Sequence, residues 1–389
     1  MRRIGIYLGG SFKSGGVAQY SQSLLSALAK LDVNCYSIKV VFNDPLWESW
    51  LDSRGIVSRH ISNGYWGWLA KAWVWAGLPN SWFRKIVAPR MPLTKAIAHE
   101  QCDLWLFPAH DIWSYQIPVR SVATIHDIMH RYEPSFPEVA SNGRFHYREN
   151  HFKNVCKWAN AILVDSEIGK SQIHESYGAD KEKIFVLPYV PPEHVYARQG
   201  DGGFSQAYCL PEKYFFYPAQ FWSHKNHLRL LCALAEARKQ YADMRLVLVG
   251  GARDGFDKVT ECVSRLGLDE HVIFLDYISD NDMPAFYRRA RALIMPTFFG
   301  PTNIPQLEAF VLGCPVATSN IYGIPEQVGN AALLFDPKSI QEITDVMCKL
   351  WNNDELCGEL IKRGYEKAAS WGEKEFACRL ESIFNKILK

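Results

Sequence analysis

Apolar and polar positions alternate along this chain with two different periods. Residues 4–8 form a short apolar run that closes in the Gly-rich turn GGSFKSGGV. Val17, Tyr20, Leu24, Leu25, Leu28 and Leu31 then recur on one face of a 3.6-residue period. The spacing predicts strand, turn and helix. Further short apolar runs at 33–42, 103–107, 122–125, 161–164 and 184–187 predict buried strands with helical patterns between them. Residues 191–203 (PPEHVYARQGDGG) turn polar and rich in Pro and Gly, the composition of a linker. Beyond it the pattern restarts, with strands expected at 214–217, 246–249, 272–275, 293–295, 315–317 and 332–335. Short apolar strands alternating with helices predict parallel sheets covered on both faces. The expected fold is α/β, with two doubly wound Rossmann-like domains facing across a cleft. The expected domains are 1–195 and 204–370, with a terminal helix at 371–389 packing back on the first.

Length supports two domains, since 389 residues exceed one ordinary core. A net charge of +2 gives no reason to invoke nucleic acid. The ten cysteines form no C-x-x-C pair and no cluster with His at zinc spacing, which predicts a reducing, cytoplasmic setting and no metal site. The N-terminus MRRIGIYLGGSFKSGG reads as a strand and turn, not a signal peptide. The most apolar stretch, YWGWLAKAWVWAGLP, would make a helix of roughly 22 Å and cannot cross a core of about 30 Å.

Candidate chemistry sits where strands end. Gly15 and Gly16 close a turn that lacks the Walker lysine but could bring backbone amides near an anion; a purely structural turn has the same sequence. Lys225 precedes a helix expected from about 227, a position that suits a diphosphate or a solvated surface lysine. His126 and Asp127 follow a buried strand, and His126 with His130 lacks a third metal ligand. In FFGPTNIPQLE, Pro305 opens a helix. The expectation is an exposed helix start with free amides near Asn303 and Ile304, and with Glu308 either accepting bonds from ribose hydroxyls or answering the helix dipole. Five tryptophans between 65 and 92 mix with Lys and Arg, a composition that suits a membrane interface or a packed interior.

Together, GGVAQYSQSLLSAL, TIHD, HKNHLRLLCALAEA, LVLVGG, NIPQLEAFVLGCPVATSN and GIPEQVGNAALLFDP resemble, in order and over nearly the whole chain, glycosyltransferase family 4. AQFWSHKNH and FFGPTNIPQLEAF look more narrowly like bacterial O-antigen or lipopolysaccharide mannosyltransferases. The resemblance implies a GT-B fold and retaining transfer of a hexose, with GDP-mannose the expected donor. The acceptor would be a glycan or lipid-linked saccharide, in cell-surface polysaccharide synthesis. Neither metal nor cofactor is required. The chain would sit in the cytoplasm, peripherally on the inner membrane. Its implied catalytic residues are His126, Lys225 and Asn303. The implied donor site is Gly15, Gly16, Gln220, Lys225, Tyr277, Asn303, Ile304 and Glu308. The acceptor or membrane side would comprise Trp66, Trp68, Trp73, Arg84, Lys85, His130 and Arg131. The family's first motif glutamate falls at Gly300 and its arginine before the lysine at Gln220. Those departures leave open, as an alternative, a catalytically silent nucleotide-sugar-binding subunit; a nucleotide-sugar epimerase or a phosphorylase of the same fold is the other.

Overall fold

The structure, a computed structural model, describes residues 1–196 and 208–389. The part of the expected linker from 197 to 203, and residue 204, where the second domain was expected to begin, lie outside the described residues. Two units divide the chain: Met1–Ser135, Val139–Val190 and Glu373–Lys389 form one, Phe136–Glu138 and Pro191–Gly372 the other. Phe136–Glu138, inside the first expected domain by sequence, therefore belongs to the second unit.

The first unit is built on a seven-stranded sheet. In chain order its strands are β1 (Arg2–Leu8), β2 (Tyr36–Phe42), β3 (Ser58–His60), β4 (Leu104–Phe107), β5 (Ser121–Thr124), β6 (Ala161–Val164) and β7 (Ile184–Val186). Their spatial order is β3-β2-β1-β4-β5-β6-β7, with every pairing parallel. β4, β5 and β6 are buried along their whole length, as expected when helices cover both faces of a parallel sheet. β2 starts at Tyr36, later than the apolar run, because Cys35 and Tyr36 donate back to the Asp32 carbonyl at 2.9 and 2.8 Å in a turn. The edge strand β3 was not legible: Ser-Arg-His carries no apolar signal, and exposed polar residues are what an open edge tolerates. The helix Glu373–Ile387 presents Phe376, Leu380, Ile383 and Phe384 to this unit. Phe376 packs edge-on against Tyr20, and Asn385 accepts from Arg2 and Tyr36.

The second unit holds β8 (Phe215–Pro218), β9 (Leu246–Val249), β10 (Val272–Leu275), β11 (Ala292–Met295), β12 (Val316–Ser319) and β13 (Ala332–Phe335). Among the described residues these make a six-stranded parallel sheet in the order β10-β9-β8-β11-β12-β13. Each sheet reverses its strand order once, between β1 and β4 in the first and between β8 and β11 in the second. At such reversals neighbouring loops leave in opposite directions and open a crevice at the carboxyl ends of the strands.

Candidate active site

The loops after β8 and β11 flank the reversal point of the second sheet. After β8 the chain makes one 3₁₀ turn, Ser223–Lys225, then passes through Asn226 at φ 62° before the helix His227–Ala237. Asn tolerates this left-handed conformation, and its Nδ2 is anchored twice, on the Pro296 carbonyl at 2.9 Å and the Pro337 carbonyl at 2.8 Å. The turn that carries Lys225 is thus pinned to the end of β11. The Phe298 amide donates to the His224 carbonyl at 2.8 Å, and the Phe299 ring stacks on His224 at 3.7 Å. His224 also pairs with Glu138, whose Oε1 accepts its amide at 2.9 Å, while Phe136 packs against Phe298 and Phe299. The short segment 136–138 buttresses the lysine turn, a role no local sequence signal marks.

Gln220 occupies the place of an expected arginine. Its Oε1 accepts from Arg253 Nε at 3.1 Å and from Trp222 Nε1 at 3.0 Å. A guanidinium from the loop after β9 is therefore docked on the residue that lacks one. The two loops meet backbone to backbone: the Gly255 amide donates to the Phe221 carbonyl at 2.9 Å, and a Cβ at Gly250 would strike the Ala219 carbonyl. Arg253 was missed because a cation in a surface loop has no motif of its own. Tyr277, just beyond β10, is 80% exposed.

The stretch 300–308 corrects one expectation. Its helix, Pro305–Val311, begins in buried chain, not at an exposed end. The Asn303 amide is also occupied: it donates to Gln327 Oε1 at 3.0 Å, while Gln327 Nε2 returns a bond to the Asn303 carbonyl at 2.7 Å. The Asn303 side chain lies close beside Gly300, where a Cβ would come within 3.0 Å of Nδ2. Gly300 has φ 103°, so a glutamate there would be strained as well as crowded. Asn303 Nδ2 is buried and bonds to nothing among the described residues. Ile304, the residue before the helix, is buried too. Glu308 is 4% exposed, and its Oε2 accepts from the Tyr287 hydroxyl at 2.5 Å. Its Oε1 lies 3.7 Å from His194 Nε2. Burial first, then the neighbouring Glu308 charge, hold the Tyr287 hydroxyl well above its ordinary pKa, so the tyrosine stays a donor. Tyr287 and His194 were not singled out by sequence, where one reads as core and the other as linker.

In the first unit, Gly15 lies before the helix Gly16–Ala29 at φ 58°, and a Cβ there would touch nothing. Backbone conformation, not crowding, explains this glycine. His126 follows β5 with both ring nitrogens engaged: Nε2 donates to the Pro108 carbonyl at 2.7 Å and Nδ1 accepts from the Tyr189 hydroxyl at 2.7 Å. Burial lowers its pKa, and the Pro108 bond opposes that. Asp127 pairs with Arg148.

Several members of the expected acceptor set are engaged in contacts within the first unit. His130 is fully buried, with Nε2 at 2.9 Å from Glu149 and 3.1 Å from the Tyr177 hydroxyl. Arg131 makes a two-pronged pair with Glu149 at 2.6 and 2.7 Å. Arg84 donates to the carbonyls of Tyr115 and Ile117 at 2.7 and 3.0 Å. Trp66 and Trp73 pack on the core, whereas Trp68 and Lys85 are exposed. Among the described residues no group of three His, Cys, Asp or Glu could hold a metal ion, and no helix is long and apolar enough to cross a membrane.

Comparison with known proteins defines the class. Residues 206–367 match the family described as glycosyl transferases group 1, and the chain is a glycosyltransferase built on two Rossmann-like units of the GT-B type. It is 28% identical over 267 residues to O-antigen chain mannosyltransferase B of Escherichia coli, a match that covers 65% of this chain and 67% of that one. It is 28% identical over 241 residues to O-antigen chain mannosyltransferase RfbU of Salmonella typhimurium, covering 59% and 63%. The Anabaena Alr3699/HepE structure, in complex with UDP and glucose, superposes with a TM-score of 0.76 at 17% identity over 99% of this chain and 100% of that one.

Proposed function

We propose that the chain transfers mannose from GDP-mannose to a hydroxyl of a glycan or lipid-linked saccharide, with retention of anomeric configuration, in cell-surface polysaccharide synthesis. The observation that carries this reading is the bond from the Phe298 amide to the His224 carbonyl. It sets the Lys225 turn beside the loop leading through Asn303 to Glu308, at the reversal point where an open sheet binds nucleotides. Lys225 and Arg253 meet the charge that grows on the departing diphosphate, and the unpartnered Asn303 Nδ2 beside Gly300 donates to an oxygen of the bound donor, where a glutamate would instead have accepted. Glu308, held by Tyr287, accepts from the ribose hydroxyls. His126 is the proposed sugar-positioning group of the first unit. The choice of mannose rests on the names of the relatives.

Protein cations carry the leaving-group charge in this reading, so turnover proceeds without a divalent ion. We further assign the chain to the cytoplasmic face of a membrane, bound peripherally through exposed aromatic residues of the first unit. A panel of GDP-, UDP- and dTDP-sugars, scored by thermal shift and by nucleotide release with and without EDTA, tests the assignment. GDP-mannose should give the largest shift and an EDTA-insensitive rate, and Lys225→Ala should lower the rate at saturating donor at least tenfold. No shift and no release with any donor would refute the transferase.

A further inference from the structure

The reversal point of the first sheet holds a polar site that the transfer reaction as described above does not use. Asp111 stands in the loop after β4, beside Gly9 at the end of β1. Its backbone is fixed: the amide donates to the Ala109 carbonyl at 2.8 Å, and the Asp111 carbonyl accepts from Ser114 Oγ at 2.7 Å. The carboxylate takes the space a side chain at position 9 would need, since a Cβ on Gly9 would fall directly on it. Gly9 is not at positive φ, so room for Asp111, not backbone freedom, explains this glycine. Oδ2 of Asp111 is buried with no hydrogen-bond partner, while the residue as a whole is only partly buried.

The surroundings supply little to satisfy that oxygen. Tyr7 is close enough for the Asp111 charge to act on it, but its hydroxyl is engaged by Asn63 Nδ2 at 2.6 Å. Asn63 Oδ1 is a second buried acceptor without a donor. Tyr147 senses the same charge, and Lys71 acts on the carboxylate only through its field. Burial pushes the Asp111 carboxyl up to about 7, with Lys71 pulling the other way, as expected for a carboxylate that lacks donors. Buried acceptors are nearly always matched by donors in a folded protein, so an unmatched carboxylate oxygen at a sheet's reversal point calls for a ligand. That ligand must bring hydrogen-bond donors and little negative charge. Saccharide hydroxyls meet both conditions.

We propose that this carboxylate marks a saccharide subsite in which Asp111 Oδ2 accepts a hydrogen bond from a hydroxyl of the acceptor. The inference rests on the transferase reading for the word acceptor, but the binding event can be measured without turnover. The probes are methyl α-mannoside, methyl α-glucoside and α1→2-, α1→3- and α1→4-linked mannobiose. Each is titrated into the full chain without nucleotide and followed by saturation-transfer NMR. At least one should bind the wild type in the millimolar range, and Asp111→Asn should weaken it about tenfold or more. Gly9→Ala is the second variant, for the case that Asp111→Asn fails to fold: its methyl group displaces the carboxylate and should abolish the same signal. Undiminished binding in the folded variants, or no binding of any probe by the wild type, overturns the proposal. A wild type that binds mannobiose through Asp111 yet neither binds nor turns over any nucleotide sugar would refute the transferase alone.

Discussion

At the scale of single residues, Glu308 shows how a motif and its support separate. The carboxylate was legible, because a helix opened by Pro305 in NIPQLEAF marks the loop and the acid together. The Tyr287 hydroxyl that holds it at 2.5 Å was not, because Tyr287 lies 21 positions away in a run that reads as core. If the tyrosine aims Glu308 at ribose, Tyr287→Phe should weaken nucleotide binding roughly tenfold, the scale of one charged hydrogen bond of about 1.5 kcal/mol. A 2′,3′-dideoxy nucleotide should bind both proteins alike. Calorimetric titration of two proteins with two nucleotides checks this, and equal losses for both would return the pair to the scaffold. Gly300 is the converse case. Its departure was visible as a letter, but its meaning needed φ 103° and the Asn303 amide beside it.

At the scale of elements, strands were read well wherever burial on both faces made them continuously apolar, and boundaries moved by one to three residues, most at β2, where a turn intervened. The helix Arg144–Trp158 shows what periodicity could not reveal. Its Glu149 gathers Arg131, His130 and Tyr177 from elsewhere in the chain. That gathering buries His130, expected on an acceptor surface, while Arg131 stays exposed with its guanidinium paired to Glu149. Burial alone would raise the Glu149 carboxyl, but its bonds to Arg131, Tyr177 and His130 outweigh burial and bring it down to about 2. A carboxyl depressed from an unfolded value of about 4.3 contributes its full stability above that pH and loses it as pH falls toward 2. Glu149→Gln should therefore cost about 3 kcal/mol near pH 7, with the difference from wild type shrinking toward pH 3. Denaturant melts of both proteins at the two pH values measure it.

At the scale of the molecule, charge that sums to +2 is distributed unevenly. Between Asp52 and Glu100 no carboxylate occurs, while Arg54, Arg59, Lys71, Arg84, Lys85, Arg90 and Lys95 do. In the same stretch Tyr65, Trp68, Trp75, Leu78, Trp82 and Ile86 are exposed. Exposed Trp beside Lys suits the headgroup region of an anionic bilayer. Co-sedimentation with vesicles rich in phosphatidylglycerol at low salt should capture the chain, and replacing Trp68, Trp75 and Trp82 by Ala should release it. Absence of binding by the wild type would remove the membrane assignment.

What the sequence by itself determined is periodic and local. Apolar runs of strand length define two parallel sheets, because strands covered on both faces have no polar side to show, and ordered short motifs define the transferase class. Gly15, Lys225 and Glu308 were legible because each sits next to a break in those patterns. Only the tertiary structure decided which groups meet. Arg253 reaches Gln220, Glu138 reaches His224, Tyr287 reaches Glu308 and Asp111 lies against Gly9 over separations of 33, 86, 21 and 102 positions. The same packing set Trp66 and Trp73, partly buried, against the core and left Trp68 exposed, though all three share one helix and one residue type. Composition carries no record of such pairings, because parallel strands bring together loops that the chain itself keeps far apart.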